Sequence, residues 1–419
     1  MKLLPDCITL PRLATWMIIA ICGLNLNGLF DMLFGFAQVF SLPLLLGAVY
    51  LIFSCRERHI EGGLGFLYVL AILAYICFGS LFSISSETED PFKYIFTYFS
   101  SALVILAISL HISAQNTSDN LDLLFLKYIL LTASASVWLS SYLNSICVNP
   151  PLATDRFSGF FGNPNEAGII SVIAFALVLA RPSQHRVFQI LQSICACGAV
   201  FMTFSKSSIL LLALVFLVFS IFYQKEKFIY VLSGLLVVVF FISGGLESIL
   251  SLLPEMTSSQ ILRIDQLKQI VILGEVSSET TTGRTYLWNL ALDKITASFP
   301  FGLGLGELHN MIGGIKEYGI WQGCHNTYLM VLGESGIIAF ILIVFANFRL
   351  LLLSYKARRY IFSLLYVVIL QWDMMSAHNV LSLRFHNMLL GFCIGSVLLQ
   401  NRPVPNTDVR IAGCLKDEM

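Results

Sequence analysis

Four polar clusters interrupt an otherwise apolar chain, and their residue types suit contact with an anion at a membrane surface. The first runs from Asp155 and Arg156 to Asn163, Pro164, Asn165 and Glu166. An Asn-Pro-Asn run after glycine reads as a turn that caps the helix behind it. The free N–H groups of such a helix start would also suit a phosphate or a sugar. The second cluster, Phe204 to Ser208, carries Lys206, which can snorkel to headgroups or neutralise a diphosphate. The third pairs Gly283-Arg284 with Trp288 one helical turn on. A loop arginine is ordinarily solvated, yet its planar fork suits bidentate phosphate binding. The fourth holds His325, Asn326, Tyr328, Glu334 and Gly336. An imidazole near pKa 6.5 can accept a proton at neutral pH, and a purely structural histidine is the rival reading. His-Asn recurs at 309, 325, 378 and 386, so position alone singles out His325.

The elements that must position these groups are membrane helices. Of 419 residues 57% are hydrophobic and 12% charged, against about 45–50% and about 25% in soluble domains. The fold class expected is therefore all-α, a polytopic integral membrane protein. A crossing needs about 20 apolar residues, which gives about twelve runs: 13–30, 33–53, 63–84, 93–113, 122–147, 166–180, 188–204, 207–223, 228–246, 325–346, 360–376 and 381–399. Most of the 25 Lys and Arg fall in segments that would be cytoplasmic if both termini are inside, as the positive-inside rule requires. The organisation expected is membrane helices 1–9 over 1–246, an outward loop with amphipathic helices over 247–324, helices 10–12 over 325–399, and a cytoplasmic tail over 400–419.

Within the loop, Ile261, Leu262, Ile264, Leu267, Ile270 and Val271 recur with helical period and suggest a helix on the membrane surface. Thr282 could cap a second helix from Gly283 to Ala297, with Tyr286, Leu287, Leu290 and Ile295 on one side. The glycines at 302, 304 and 306 lack the strand and spacing of a nucleotide motif and read as a tight turn. Net charge is zero, which leaves no footprint for nucleic acid. Cys195 and Cys197 read as packing, and a Cys147–Cys324 bridge is the one disulfide to consider. Lys127 falls inside a span, and Asp373 with Arg384 could form an ion pair that locks the last hairpin.

Taken in order, these elements resemble the O-antigen ligase and O-antigen polymerase superfamily of bacterial envelopes. The resemblance runs from about Arg156 to Ile338. It rests on Gly162 to Asn165 with Ala167, Ser205-Lys206-Ser207, Gly283-Arg284 with Trp288, Pro300-x-Gly302-x-Gly304, and His325-Asn326-x-Tyr328 with Glu334 and Gly336. It implies a GT-C-like glycosyltransferase in the inner membrane, acting at the periplasmic face on an undecaprenyl-diphosphate-linked glycan. No metal, cofactor or nucleotide sugar is implied. His325 would be the general base or would position the acceptor, and Arg284 and Lys206 would hold the diphosphate. Arg156, Asn163, Asn165, Asn326, Tyr328 and Glu334 would complete the substrate site. Family members commonly have arginine where Lys206 stands, and ligases often follow His-Asn with a Gly-x-x-Gly, Thr or Tyr element, where this chain has Gly336 and Ala339. The acceptor would be a second lipid-linked repeat for a polymerase or lipid A–core for a ligase, with a chain-length regulator as a further partner. A polysaccharide transporter or flippase is the reading from another class.

Overall fold

The computed structural model describes residues 9–36, 38–55, 63–82, 91–115, 121–149, 156–223, 257–270, 274, 284–309, 323–357, 361–377 and 379–401. Every regular element among them is helical. In chain order they are α1 (Leu10–Gly23), α2 (Leu26–Phe34), α3 (Ser41–Ser54), α4 (Gly63–Phe82), α5 (Pro91–Ser113), α6 (Leu121–Trp138), α7 (Ser140–Ile146) and α8 (Pro164–Ala180). Then follow α9 (Arg186–Met202), α10 (Lys206–Tyr223), α11 (Ser258–Lys268), α12 (Arg284–Ser298), α13 (Thr327–Lys356), α14 (Ile361–Ser376) and α15 (Arg384–Gln400). Helices α4, α5, α6 and α13 are each long and apolar enough to cross a bilayer, and α1 with α2 forms a fifth candidate bent by 52°. The bend falls at Asn25, whose φ of 48° interrupts the first expected span. The expected span over 122–147 likewise ends at Trp138, and a short separate helix follows. The ninth expected span, 228–246, lies outside the described residues.

Two groups of helices meet around the site. In the first, α5 packs against α3, α4 and α15, and α13 runs along α4. Gly391 and Gly395 of α15 let its backbone approach α5 so closely that an added Cβ would lie 2.7 and 2.8 Å from the carbonyl oxygens of Ile105 and Ser109. Small residues four apart allow such approaches in membranes, where burial of apolar surface does not drive helix association. In the second group α8 is central, contacting α6, α9, α10 and α14. Residues 167 to 178 are all buried, as expected for a helix that is apolar all round.

The span α13 is broken at Gly336, which has φ 77° and ψ −172°. A break frees backbone groups that must be satisfied within the protein. The Pro300–Gly304 segment does this: Leu303 N donates to Gly333 O (2.7 Å), Gly304 N to Glu334 O (3.1 Å), and Ile337 N to Pro300 O (3.1 Å). A Cβ on Gly302 would sit 2.1 Å from the Glu334 carbonyl oxygen. The glycine-punctuated run is therefore a segment docked into a broken helix, rather than the free tight turn that the sequence suggests.

Other sequence expectations are corrected by the contacts. Asp373 pairs with His386, Nε2 to Oδ2 at 2.8 Å, while Arg384 donates to Gln38 Oε1 and to Ser41 Oγ (3.0 Å). Cys147 and Cys324 are free thiols, the latter buried. Lys127 is not stranded within a span: its Nζ reaches the Arg181 carbonyl (2.8 Å) and Ser183 Oγ (3.2 Å) at the end of α8. A cation there complements the negative end of a helix.

Candidate functional site

The Asn163-Pro164-Asn165 run starts α8. The Asn163 side chain accepts from Asn165 N (2.9 Å), and Pro164 occupies the first turn, where no N–H is missed. This fixes Asn165 at the helix mouth, where its Oδ1 accepts from Arg156 Nη2 (2.9 Å). Arg156, buried, also donates from Nε to Thr203 O (3.0 Å). Thr203 belongs to the turn that precedes α10, and in that turn Phe204 has φ 49°. The Ser205 hydroxyl accepts from Ser208 Oγ at 3.0 Å. Lys206 opens α10 and donates to Gln266 Oε1 of α11 at 2.8 Å.

Helix α11 begins with a capping box between Thr257 and Gln260. Ile264 packs on Phe204 and Phe157, whereas Ile261 and Leu262 stay exposed. Helix α12 begins at Arg284 and buries Leu287, Ala291 and Ile295, a stripe set by the helical period, against α13. Tyr286, expected on that side, is exposed, because one residue is about 100° of rotation. The cap expected from Thr282 lies outside the described residues. His325 sits just before α13 with φ 47°. It is flanked by Cys324, whose N donates to Leu308 O (3.1 Å), and by Asn326, whose Oδ1 caps α13 through Leu329 N (3.1 Å). Thr327 Oγ1 then donates to Ala377 O at 2.7 Å. Non-glycine residues at positive φ are uncommon, and two of the four described here, Phe204 and His325, occupy turns at this place.

These turns and helix starts enclose a cavity of about 410 Å³, within the usual range for a ligand site. Arg156, Asn165, Lys206, Arg284, Trp288 and His325 all line it, so at least one residue of each sequence cluster faces one space. Arg263, Trp372 and Ser376 line it too, and none of them belongs to the four polar clusters of the sequence. Four cations and no carboxylate line this space among the described residues. A smaller adjoining cavity of about 80 Å³ shares Asn165, Arg284 and His325 and adds Asn163, Glu166 and Asp373.

Three expected site residues lie elsewhere. Asn326 spends its side chain on the α13 cap. The Tyr328 hydroxyl donates to Gln371 Oε1 and accepts from Asn347 Nδ2 (3.0 Å) within the bundle. Glu334 is fully buried. It accepts from the Tyr75 hydroxyl and from Leu308 N (2.9 Å) and contacts His309 Nδ1 (3.0 Å). It thereby holds the docked segment to α4 and α13, away from the cavity.

The electrostatics of the cavity favour an anion. Burial lowers the Arg284 guanidinium from its ordinary value, and the charge of Asp373 acts against that. Neither Arg263 nor Arg284 has a hydrogen bond or ion pair among the described residues. His325 is pushed down to about 4, first by burial and then by Arg284. It is neutral around pH 7 and can accept a proton. Residues 191–344 match the family model described as O-Antigen ligase. No curated protein matches the chain. The matched segment holds Lys206, Arg263, Arg284 and His325, and excludes Arg156 and Asp373.

Proposed function

We propose, for a chain that belongs to the O-antigen ligase and polymerase superfamily through residues 191–344, that this cavity transfers a glycan from undecaprenyl diphosphate at the periplasmic face of the inner membrane. The observation that carries the reading is the convergence of Arg156, Lys206, Arg263, Arg284 and His325, from five separate segments, on one cavity. An acceptor hydroxyl attacks the anomeric carbon, the glycosidic C–O bond to the diphosphate breaks, and the lipid diphosphate leaves. Negative charge builds on the leaving group, and fixed cations aimed there stabilise the transition state without reorganising. His325 takes the hydroxyl proton, help worth of order 10²–10⁴-fold. Attack opposite the leaving group inverts the anomeric centre.

Arg284, half-buried and without a hydrogen bond or ion pair among the described residues, is the best placed of the cations to present its fork to a phosphate. Arg156 is already braced by Thr203 and Asn165 and acts chiefly by shaping the wall. Lys206 supplies a point charge at the start of α10. Asn163 orders the α8 terminus beside the cavity. The architecture that goes with this reading has about twelve spans of GT-C-like type and both termini in the cytoplasm.

We read the transfer as polymerisation of repeat units of a surface polysaccharide. Ligation to lipid A–core is the alternative, favoured by the description of the matched family. His325→Ala and Arg284→Ala should each abolish product while membrane protein levels stay normal. Full activity in both variants would refute the site. A knockout then separates the two acceptors: core carrying one repeat indicates a polymerase, and bare core with accumulated lipid-linked polymer indicates a ligase.

A further inference from the structure

We propose that Glu166 is the proton-relay residue of this site, taking the acceptor's proton from His325 and releasing it to water past Asn163. The inference rests on the reading of His325 as the base. His325 lines both cavities, and Glu166 lines the smaller one. Glu166 stands in the first turn of α8 and is half-buried, so it is not sealed from that space. Its carboxylate lies against the side chains of Asp373, Asn379 and Asn163, and each of those three lines the same cavity. The acid group is therefore part of the cavity wall. Asp373, the other carboxylate there, is already engaged. Its Oδ2 meets His386 Nε2 at 2.8 Å, and its Oδ1 accepts from Ser376 Oγ at 3.4 Å. A carboxylate accepts at about four lone-pair positions, so the two amides beside Glu166 leave it room for a proton.

Charge gives the proton its direction. The imidazolium that forms on His325 shares a poorly solvated space with Arg284, and once the lipid diphosphate departs that arrangement is unfavourable. His325 lies at about 4, pushed down by burial and then by Arg284. An imidazolium of that strength gives its proton readily to a carboxylate, whose ordinary value is itself about 4. The large cavity presents Arg156, Lys206, Arg263 and Arg284, whereas the smaller one presents Glu166 and Asp373 beside Arg284. A proton on His325 thus moves from the cationic space toward the carboxylates. At about 80 Å³ the smaller cavity is well under the size of an ordinary ligand site, yet has room for more than one water molecule. Asn163 on its wall is exposed, which places the outlet to solvent. In one turnover the acceptor oxygen bonds to the anomeric carbon, and the diphosphate leaves with the electron pair of the broken C–O bond. The proton passes from the hydroxyl to His325, then to Glu166, then to water.

The test measures multiple-turnover transfer by the purified full-length protein in nanodiscs. Lipid-linked glycan and lipid A–core extracted from a strain lacking the chain supply donor and acceptor. Glu166→Ala should slow turnover by about 10²-fold. Added formate should restore about tenfold of that, because it returns a carboxylate to the vacated space. Glu166→Gln should be equally slow and unresponsive to formate, because its amide fills that space and takes no proton. Both variants should bind undecaprenyl diphosphate within about twofold of the wild type. Full turnover by Glu166→Gln would overturn the inference. So would a slow Glu166→Ala that formate does not rescue, or loss of undecaprenyl diphosphate binding in Glu166→Gln, which marks a structural role. If Glu166→Ala does not fold, Glu166→Gln decides alone: slow turnover with intact binding supports the relay, and full turnover refutes it. His325→Ala separates the underlying reading. If it turns over at the wild-type rate, the base assignment fails, and the relay with it. If it is inactive while Glu166→Gln is fully active, the failure is confined to the relay.

Discussion

Replacing Arg284 with glutamine tests whether the guanidinium and the His325 imidazole share one poorly solvated space. His325 lies at about 4 against an ordinary 6.5, with burial the larger cause and Arg284 the smaller. Arg284 therefore accounts for less than half of that gap. Arg284→Gln should raise the His325 value and still leave it below 6.5. The sign follows from charge: both burial and a neighbouring cation disfavour imidazolium, so His325 is neutral at pH 7 and protonates only as the pH falls through about 4. Diethyl pyrocarbonate, which attacks only unprotonated imidazole, gives the assay when modification is followed peptide by peptide across the acid range. The wild-type midpoint at His325 should lie near 4, and the Arg284→Gln midpoint should lie above it. A wild-type midpoint at 6.5, or no movement in the variant, would refute the argument. There is a consequence for turnover. A diphosphate bound at Arg284 cancels the same repulsion, so donor binding itself should make His325 a better base.

Two further outcomes test the frame around the cavity. Gly336→Ala places a side chain at φ 77° and ψ −172° with its Cβ 2.6 Å from Pro300 O; that backbone region is essentially confined to glycine and costs about 1–3 kcal/mol, so the unfolding midpoint in detergent should drop, and an unchanged midpoint would contradict the docked-segment account. Glu334→Gln turns an amide toward donors that now meet a carboxylate and should cost about 1–3 kcal/mol of stability, with undecaprenyl diphosphate affinity of the folded fraction unchanged. Loss of affinity without loss of stability would place Glu334 in the site instead.

The sequence shows where the polar clusters lie, since each interrupts an apolar run, and it shows the caps that start α8 and the periodic face of α12. It does not show what those faces meet. Arg263 is not legible as a site residue, because a charged residue on an amphipathic helix reads as solvated, and the docking of Ile264 on Phe204 and Phe157 turns that helix toward the cavity. The choice between Arg384 and His386 as the partner of Asp373 has a simple geometric basis. Two residues are about 200° apart around a helix, so only one of them can face α14, and it is His386. Hydropathy could not show the breaks at Asn25 and Gly336, because an apolar window averages over a single residue of positive φ. Glu334 reads in the sequence as an acid near the His-Asn pair, whereas its partners Tyr75 and Leu308 come from other segments of the chain.

The cations around the cavity fall into two kinds, which decides between the bland and the chemical readings. Arg156 and Lys206 are held by neutral oxygens, Thr203 O and Asn165 Oδ1 for the first and Gln266 Oε1 for the second. Each of these contacts orients the charge that it holds. A lysine that merely snorkelled would reach away from the protein to headgroups; this one reaches across to α11. Arg284 is largely withdrawn from water and has no anionic partner within hydrogen-bonding distance among the described residues, so it is not the solvated loop arginine that its sequence context allowed. Gathering like charges in a space with little water is unfavourable in itself. Among the described residues no carboxylate lines the large cavity, and Asp373 and Glu166 line the smaller neighbour. An arrangement of this kind is stabilised when an anion enters, and a diphosphate, with more than one charge and several acceptor oxygens, is the class of ligand that offsets the most repulsion at once.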